Sequence, residues 1–171
     1  MSRPGHPDIR TDGLFLRPPC EADLEMMRGW RNADGVRQMF RGTALISAAE
    51  QRHWYAAWCR RTDDLMWIAL DDAGTPLGQG ALYDIDPAAG TAEAGRFIAA
   101  PAIRGTGRFG AVCRAITGFG FDVLGLVRLR LEVRPENAVA RRFYVGQGFR
   151  DAGVSADGFV VMALDRPEGT R

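Results

Sequence analysis

Hydrophobic positions change period several times along this chain, and each change marks an element. Val127, Leu129, Leu131 and Val133 alternate with Arg128, Arg130 and Glu132, the period-two pattern of a strand with one buried face. Upstream, Val112, Ile116, Phe119 and Val123 recur at spacings of four, three and four, one apolar stripe of a helix over residues 107–124. Leu24, Met27 and Met26 or Trp30 predict a helix over 21–30. Ser47 and Glu50 form a capping box, in which each side chain satisfies a free amide at the helix start. That helix should run to about residue 61, with Trp54, Ala57 and Trp58 on one side. Short apolar runs at Leu14–Arg17, 65–70, 76–85 and Thr91–Ala99 read as strands, the last three as an antiparallel meander. Pro135-Glu136-Asn137 introduces a helix over Ala138–Gly146. Asp157-Gly158 marks the turn of a hairpin made by 149–154 and 159–164. The chain reads as one mixed α/β domain over residues 13–165, with tails at 1–12 and 166–171.

Between the strand at 91–99 and the helix at 107–124 lies Arg104-Gly105-Thr106-Gly107-Arg108-Phe109-Gly110. Strand, glycine-rich loop and helix aim backbone N–H groups and the positive end of a helix dipole at one spot, which suits phosphate or pyrophosphate. Glycine admits positive φ and close approach of a ligand, and Arg104 and Arg108 add cationic charge. Residues 105–110 also satisfy G-x-G-x-x-G, and Glu132 follows about twenty residues later, as a dinucleotide fingerprint requires. In that fold the strand runs straight into the first glycine and several βα units follow. Here Pro101-Ala102-Ile103-Arg104 intervenes, and about 60 residues remain after the loop. The favoured reading is a cradle for a phosphorylated cofactor, to which the rest of the chain presents a second substrate. A loop with no ligand is the plain alternative.

Composition narrows the field. At 171 residues the chain is long enough for a full core, and 46% apolar with 25% charged residues is ordinary for a globular protein. The balance of 22 basic and 21 acidic residues leaves no global field for nucleic acid or an anionic membrane. No apolar run approaches a membrane span, and the first residues lack the apolar core of a signal peptide. Cys20, Cys59 and Cys113 lack metal-type spacing and read as reduced thiols of a cytoplasmic protein. No metal is expected.

The order of elements, the loop at 104–110 and residues 137–149 together resemble the GNAT superfamily of acetyl-coenzyme A-dependent N-acetyltransferases, over nearly the whole chain. That family's loop carries Q/R-x-x-G-x-G/A, whose amides bind the coenzyme A pyrophosphate. Arg104, Gly107 and Phe109 occupy those positions, and Phe109 departs from the usual small residue, with Gly110 one step later. Asn137-Ala138-Val139-Ala140-Arg141-Arg142-Phe143-Tyr144, followed by Gly148-Phe149, is similar to the family's N-x-x-A-x-x-x-Y…G-F segment. The resemblance implies a twisted, mostly antiparallel mixed sheet of about seven strands with about four helices. It implies acetyl-CoA as cofactor, held by Phe97, Ile98, Arg104, Gly105, Thr106, Gly107, Arg108, Phe109, Gly110, Asn137, Ala140 and Phe143. Trp30-Arg31-Asn32, Val36-Arg37, Met39, Ile46, His53 and Trp54 resemble the amino-terminal pattern of members that acetylate nucleotide-linked amino sugars, the pseudaminic-acid type. Ribosomal-protein N-terminal acetyltransferases share parts of it.

Acyl transfer to an amine needs a held donor, a neutral amine, a polarised carbonyl and a proton for the departing thiolate. A bulge at about Phe97-Ile98 would aim backbone N–H groups at the developing oxyanion. By the resemblance, Tyr144 sits beside the sulfur and is the general acid, while Asn137 bonds the pantetheine arm. Glu93 is the first choice of base, followed by Asp84 and Asp86, with His53 as a further alternative on a helix face expected to be exposed. Arg31 and Arg37 suit acceptor phosphates, and Met39, Phe40, Trp54 or Trp58 an apolar wall, with Asp84 at the acceptor side. The expected acceptor is a small-molecule primary amine, an amino sugar first, attacked directly in a ternary complex; a homodimer is compatible. A protein N-terminal amine is the alternative acceptor, and a non-catalytic acyl-CoA-binding module the alternative of another class.

Overall fold

The computed structural model describes residues 5–168. Its strands are β1 (Ile9–Thr11), β2 (Leu14–Arg17), β3 (Asp64–Leu70), β4 (Pro76–Asp86), β5 (Thr91–Ala99), β6 (Arg128–Val133), β7 (Arg150–Val154) and β8 (Val160–Asp165). Four α-helices accompany them: α1 (Leu24–Asn32), α2 (Ala48–Trp58), α3 (Phe109–Asp122) and α4 (Ala138–Gly146). The strands form one sheet in the order β1-β2-β3-β4-β5-β6-β8-β7. Every neighbouring pair is antiparallel except β5 and β6.

All seven expected strands are present, and β1 is the eighth. It corrects the expectation of a loose tail over residues 1–12. Ile9 pairs with Leu16 and is buried. His6 accepts a hydrogen bond from the Met66 amide at 3.0 Å. Three residues are too few for a period-two pattern to show. Residues 1–4 and 169–171 of the expected tails lie outside the described residues.

The core follows the alternation of the central strand. Trp67 on β3 meets Phe119 of α3 edge-on at 5.3 Å. Asp64, three residues earlier and so on the opposite face, accepts a hydrogen bond from Trp58 of α2 at 3.1 Å. Helix α3 lies close to the sheet because Gly80 has no side chain: a Cβ there would stand 2.7 Å from Ile116 and 2.6 Å from Phe97. Val112, Ile116 and Phe119 are buried as expected, but Val123 is exposed, since the helix ends at Asp122. Val127 is also exposed; its amide donates to the Gly90 carbonyl at 2.7 Å and joins the start of β6 to the turn between β4 and β5. The capping box of α2 is formed as expected, with Glu50 reaching the Ser47 amide at 2.7 Å. Its buried face is Gln51, Tyr55 and Trp58, so of the expected Trp54, Ala57 and Trp58 side only Trp58 is buried.

Two departures from regular sheet shape the middle of the molecule. First, β5 and β6 pair only where Thr91–Glu93 meets Arg128–Arg130, and beyond Glu93 they share no further rungs. Secondly, Ala81 faces Gly95 while Gln79 faces Ile98, so Gly80 alone stands opposite both Arg96 and Phe97. That is a β-bulge, and its first residue, Arg96, has a φ of 54°.

Candidate active site

Where β5 and β6 part, a cleft of about 650 Å³ opens. Its floor is the bulge, Gly95, Arg96 and Phe97, beside Glu93 and Ala94; Leu131, Glu132 and Val133 of β6 form the facing wall. Helix α4 contributes Asn137, Ala140 and Tyr144, and the connection between α1 and α2 contributes Met39, Phe40, Arg41 and Gly42. Thus Glu93, Phe97, Asn137, Ala140, Tyr144, Arg31, Met39 and Asp84, chosen from five separate stretches of sequence, line one cavity.

Tyr144 is held on α4 by an aromatic wall: Phe143 at 5.3 Å, Phe149 at 5.7 Å and Phe97 at 6.1 Å between ring centroids. Burial pushes its phenol well above the ordinary tyrosine value, so it holds its proton. Burial also raises the Glu93 carboxyl; the Arg130 guanidinium opposes that, and Glu132 and Asp84 reinforce it. The other base candidates are committed elsewhere. Asp84 pairs with Arg61 at 2.8 Å. Asp86 accepts from the Ala88 and Ala89 amides at 3.0 and 2.9 Å within its own turn. His53 is exposed on α2 and lines no part of the cleft.

The bulge lies one residue earlier than expected. Ile98 is back in the ladder opposite Gln79 and buried, so the amides that leave the ladder are those around Arg96–Phe97. Arg96 holds its left-handed backbone by anchoring its side chain: the guanidinium grips Asp64 with two bonds, 2.7 and 2.9 Å. Asp64 is 1% exposed. The Tyr83 ring lies 4.4 Å below the same guanidinium. Neither Arg96 nor Tyr83 was legible as a site residue, because the Asp64 partner is 32 positions away.

The glycine loop stands outside the lining of the cleft, at the start of α3. Residues 104–108 are exposed, and Gly105 and Gly107 have φ of 75° and 78°, a conformation that side chains resist. Among the described residues the amides of Gly105, Gly107 and Phe109 have no hydrogen-bond partner, and no side chain caps α3. The Arg108 amide leans on the Thr106 hydroxyl at 3.4 Å, and that hydroxyl donates to the Ile103 carbonyl at 2.7 Å. Free amides at a helix start fit a pyrophosphate. Phe109 is compatible with this, because its ring turns inward against Phe97 at 6.3 Å and Phe143 at 6.0 Å. Gly78 makes the room: a Cβ there would lie 2.7 Å from the Phe109 ring. Phe143 thus supports the loop from beneath instead of facing the cleft. The Asn137 side-chain oxygen caps α4, accepting from the Ala140 amide at 3.1 Å, which leaves its NH₂ group for a ligand.

At the acceptor end two expectations change. Arg37 pairs with Asp34 at 3.5 Å and donates to the Thr43 carbonyl, so it braces the α1–α2 connection. Trp54 stacks on Trp58 at 6.1 Å and lies outside the cleft. Arg31 does face the cleft, with its guanidinium over Phe40 at 4.0 Å and one bond to the Gly42 carbonyl. Arg41 and Phe159, which no sequence pattern marks, also line it, as does Glu132, which the sequence marks only as the acidic residue of the dinucleotide fingerprint. Arg41 bridges Glu132 and Asp157 above the Phe159 ring, 4.3 Å away. These partners come from a loop, β6 and a hairpin, so no local pattern announces them.

Residues 13–150 match the family model described as an acetyltransferase (GNAT) domain. No curated protein sequence matches. Among solved structures, a spermidine N-acetyltransferase from Vibrio cholerae, in complex with CoA and spermine, superposes with a TM-score of 0.82 at 21% identity. The match covers 91% of this chain and 96% of that one. A GCN5-related N-acetyltransferase from Brucella melitensis gives 0.76 at 23% identity, covering 95% of this chain and 80% of its own. At these identities the structures speak for the fold, and the family match over most of the chain for the rest. The chain belongs to the GNAT family of acetyltransferases, enzymes whose acyl donor is acetyl-CoA.

Proposed function

We propose that this enzyme acetylates the primary amine of a small molecule that also carries an anionic group. An amino sugar, nucleotide-linked in the first instance, is the leading class. One observation carries this reading. Among the described residues, most charged groups of the cleft are already paired with others of the chain: Arg96 with Asp64, Asp84 with Arg61, Arg41 and Glu132 with each other. Among the described residues Glu93 and Arg31 form no salt bridge, and Arg130, across the β5–β6 rung, only partly offsets the burial of Glu93. Burial without a carboxylate lowers the Arg31 guanidinium from its ordinary value, and its buried Nη1 has no hydrogen-bond partner. A carboxylate that takes a proton from an amine and a cation awaiting an anion suit an acceptor with both groups.

Acetyl-CoA supplies an activated thioester. The free amides of the loop and the start of α3 suit its pyrophosphate, and Asn137 and Ala140, which line the cleft, suit its pantetheine arm. The amides at the Arg96–Phe97 bulge act on the thioester carbonyl, where an oxyanion forms as the amine nitrogen bonds to carbon. Glu93, directly or through one water, accepts the proton that the amine loses. Tyr144 gives its proton to the sulfur as the carbon–sulfur bond breaks. No acetyl-enzyme is needed when the amine attacks the thioester directly in a ternary complex.

A second reading has its own support. Asp84, Glu93 and Glu132 all line the cleft, and the Vibrio cholerae neighbour is a spermidine enzyme. A polyamine, however, offers nothing to Arg31. The test is a rate comparison, by thiol release, among a nucleotide-linked amino sugar, a free amino sugar, an amino acid, spermidine and an N-terminal peptide. The proposal expects the highest kcat/KM with an acceptor bearing an anion, and a fall of at least about tenfold with Arg31→Gln for that acceptor alone. Spermidine or the peptide as best acceptor, unaffected by Arg31→Gln, would reject it. Absence of turnover with every amine, with acetyl-CoA still bound, would favour a binding module.

A further inference from the structure

We infer that Arg41 sets the charge of the acceptor by filling, from within the chain, a cation subsite at the mouth of the cleft. This rests on the reading of a small amine acceptor just given. Glu132 from β6 and Asp157 from the β7–β8 turn converge on one guanidinium, and the Phe159 ring lies beneath it at 4.3 Å. Two carboxylates over an aromatic face are a general receptor for an organic cation. Arg41, Glu132 and Phe159 all line the same cleft as Tyr144 and Glu93. The subsite is therefore within reach of a second amine on an extended acceptor whose first amine is at Glu93.

Arg41 is brought there by the α1–α2 connection. Arg134 donates two hydrogen bonds to the neighbouring Phe40 carbonyl, at 2.9 and 3.2 Å, and Arg31 covers the Phe40 ring. The guanidinium is thus tethered beside its carboxylates at an effective concentration on the order of millimolar or more, which a free dication must exceed to displace it. Its side chain is 49% exposed and those of Glu132 and Asp157 are 31% and 56%, so the pair itself is weak and the tether supplies the exclusion. With Arg41 in place the mouth repels di- and polycations. Without it, Glu132 and Asp157 have no other salt bridge among the described residues, and Arg134, 5.2 Å above the Phe159 ring, remains as a nearby cation.

The experiment measures kcat and KM for spermidine and for the best anionic acceptor in the wild type, Arg41→Gln and Arg41→Lys, with melting temperature and acetyl-CoA binding as checks of folding. Arg41→Gln is expected to raise kcat/KM for spermidine by about tenfold or more, mainly through KM, while Arg41→Lys leaves it near the wild-type value. A folded Arg41→Gln with no gain for spermidine overturns the inference. Should Arg41→Gln fail to fold, Glu132→Gln combined with Asp157→Asn releases the guanidinium instead. That pair should lower spermidine turnover further and improve an acceptor with a second anionic group; an unchanged preference overturns the inference. A wild type that already prefers spermidine refutes the anionic-acceptor reading separately, whatever Arg41→Gln then does.

Discussion

Tyr144 sits among Phe97, Phe143 and Phe149, and that apolar wall keeps its phenol protonated through the neutral range. As the proposed proton donor to the thiolate it should be missed at every working pH. Tyr144→Phe is expected to lower kcat by about 10- to 100-fold, with little change in the shape of the pH profile. An unchanged kcat would remove Tyr144 from the mechanism. Glu93 behaves in the opposite sense. Burial raises its carboxyl, so the basic form appears only above the ordinary glutamate range, and kcat/KM should fall as pH drops through that raised value. A raised carboxyl also binds its proton more tightly folded than unfolded, so the charged form weakens the fold as pH rises. Glu93→Gln should therefore lower kcat by about 100-fold while leaving the Tm at pH 7 equal to or above the wild type. A lost acidic limb with a preserved Tm would separate a base from a structural carboxylate.

At the scale of elements, the bulge in β5 depends on a side chain from β3. Arg96 occupies a left-handed backbone that costs a non-glycine residue energy, and the bidentate grip on buried Asp64 holds it there. Asp64→Ala leaves Arg96 without its partner and should destabilise by about 3–5 kcal/mol, measured by urea unfolding. It should lower kcat more than it raises the KM for acetyl-CoA, since the loop at the start of α3 is untouched. That loop has its own requirement. Gly107→Val places a branched side chain at a φ of 78° and should cost about 1–2 kcal/mol of stability. A weakened acetyl-CoA response in the folded variant would confirm where the pyrophosphate lies; full retention would refute it.

For the molecule as a whole, the separation of β5 from β6 makes one cleft out of residues scattered from position 31 to position 159. Binding there and along the loop stabilises only the folded state. Saturating acetyl-CoA should raise the Tm by an amount that grows with the logarithm of its concentration, whereas NAD and NADP should not. A shift with a nicotinamide cofactor would mean that the G-x-G-x-x-G reading of residues 105–110 had prevailed.

The chain's own order determined what depends on neighbours along it. Helix α4 begins and ends where its pattern said, Ser47 and Glu50 cap α2, and Leu129, Leu131 and Val133 point inward from β6. Such features follow from periods and caps within a few residues, and the glycine loop is legible for the same reason. Tertiary structure decided what depends on partners far apart in sequence. It docked Ile9 and His6, moved the bulge to Arg96, buried Tyr55 in place of Trp54 and turned Arg37 away from the cleft. It also paired most of the cleft's charges internally, leaving Glu93 and Arg31 without a salt bridge among the described residues. A charge in a sequence carries no mark of its partner, because the partner is fixed by which strands and loops the fold brings within a few ångströms of it.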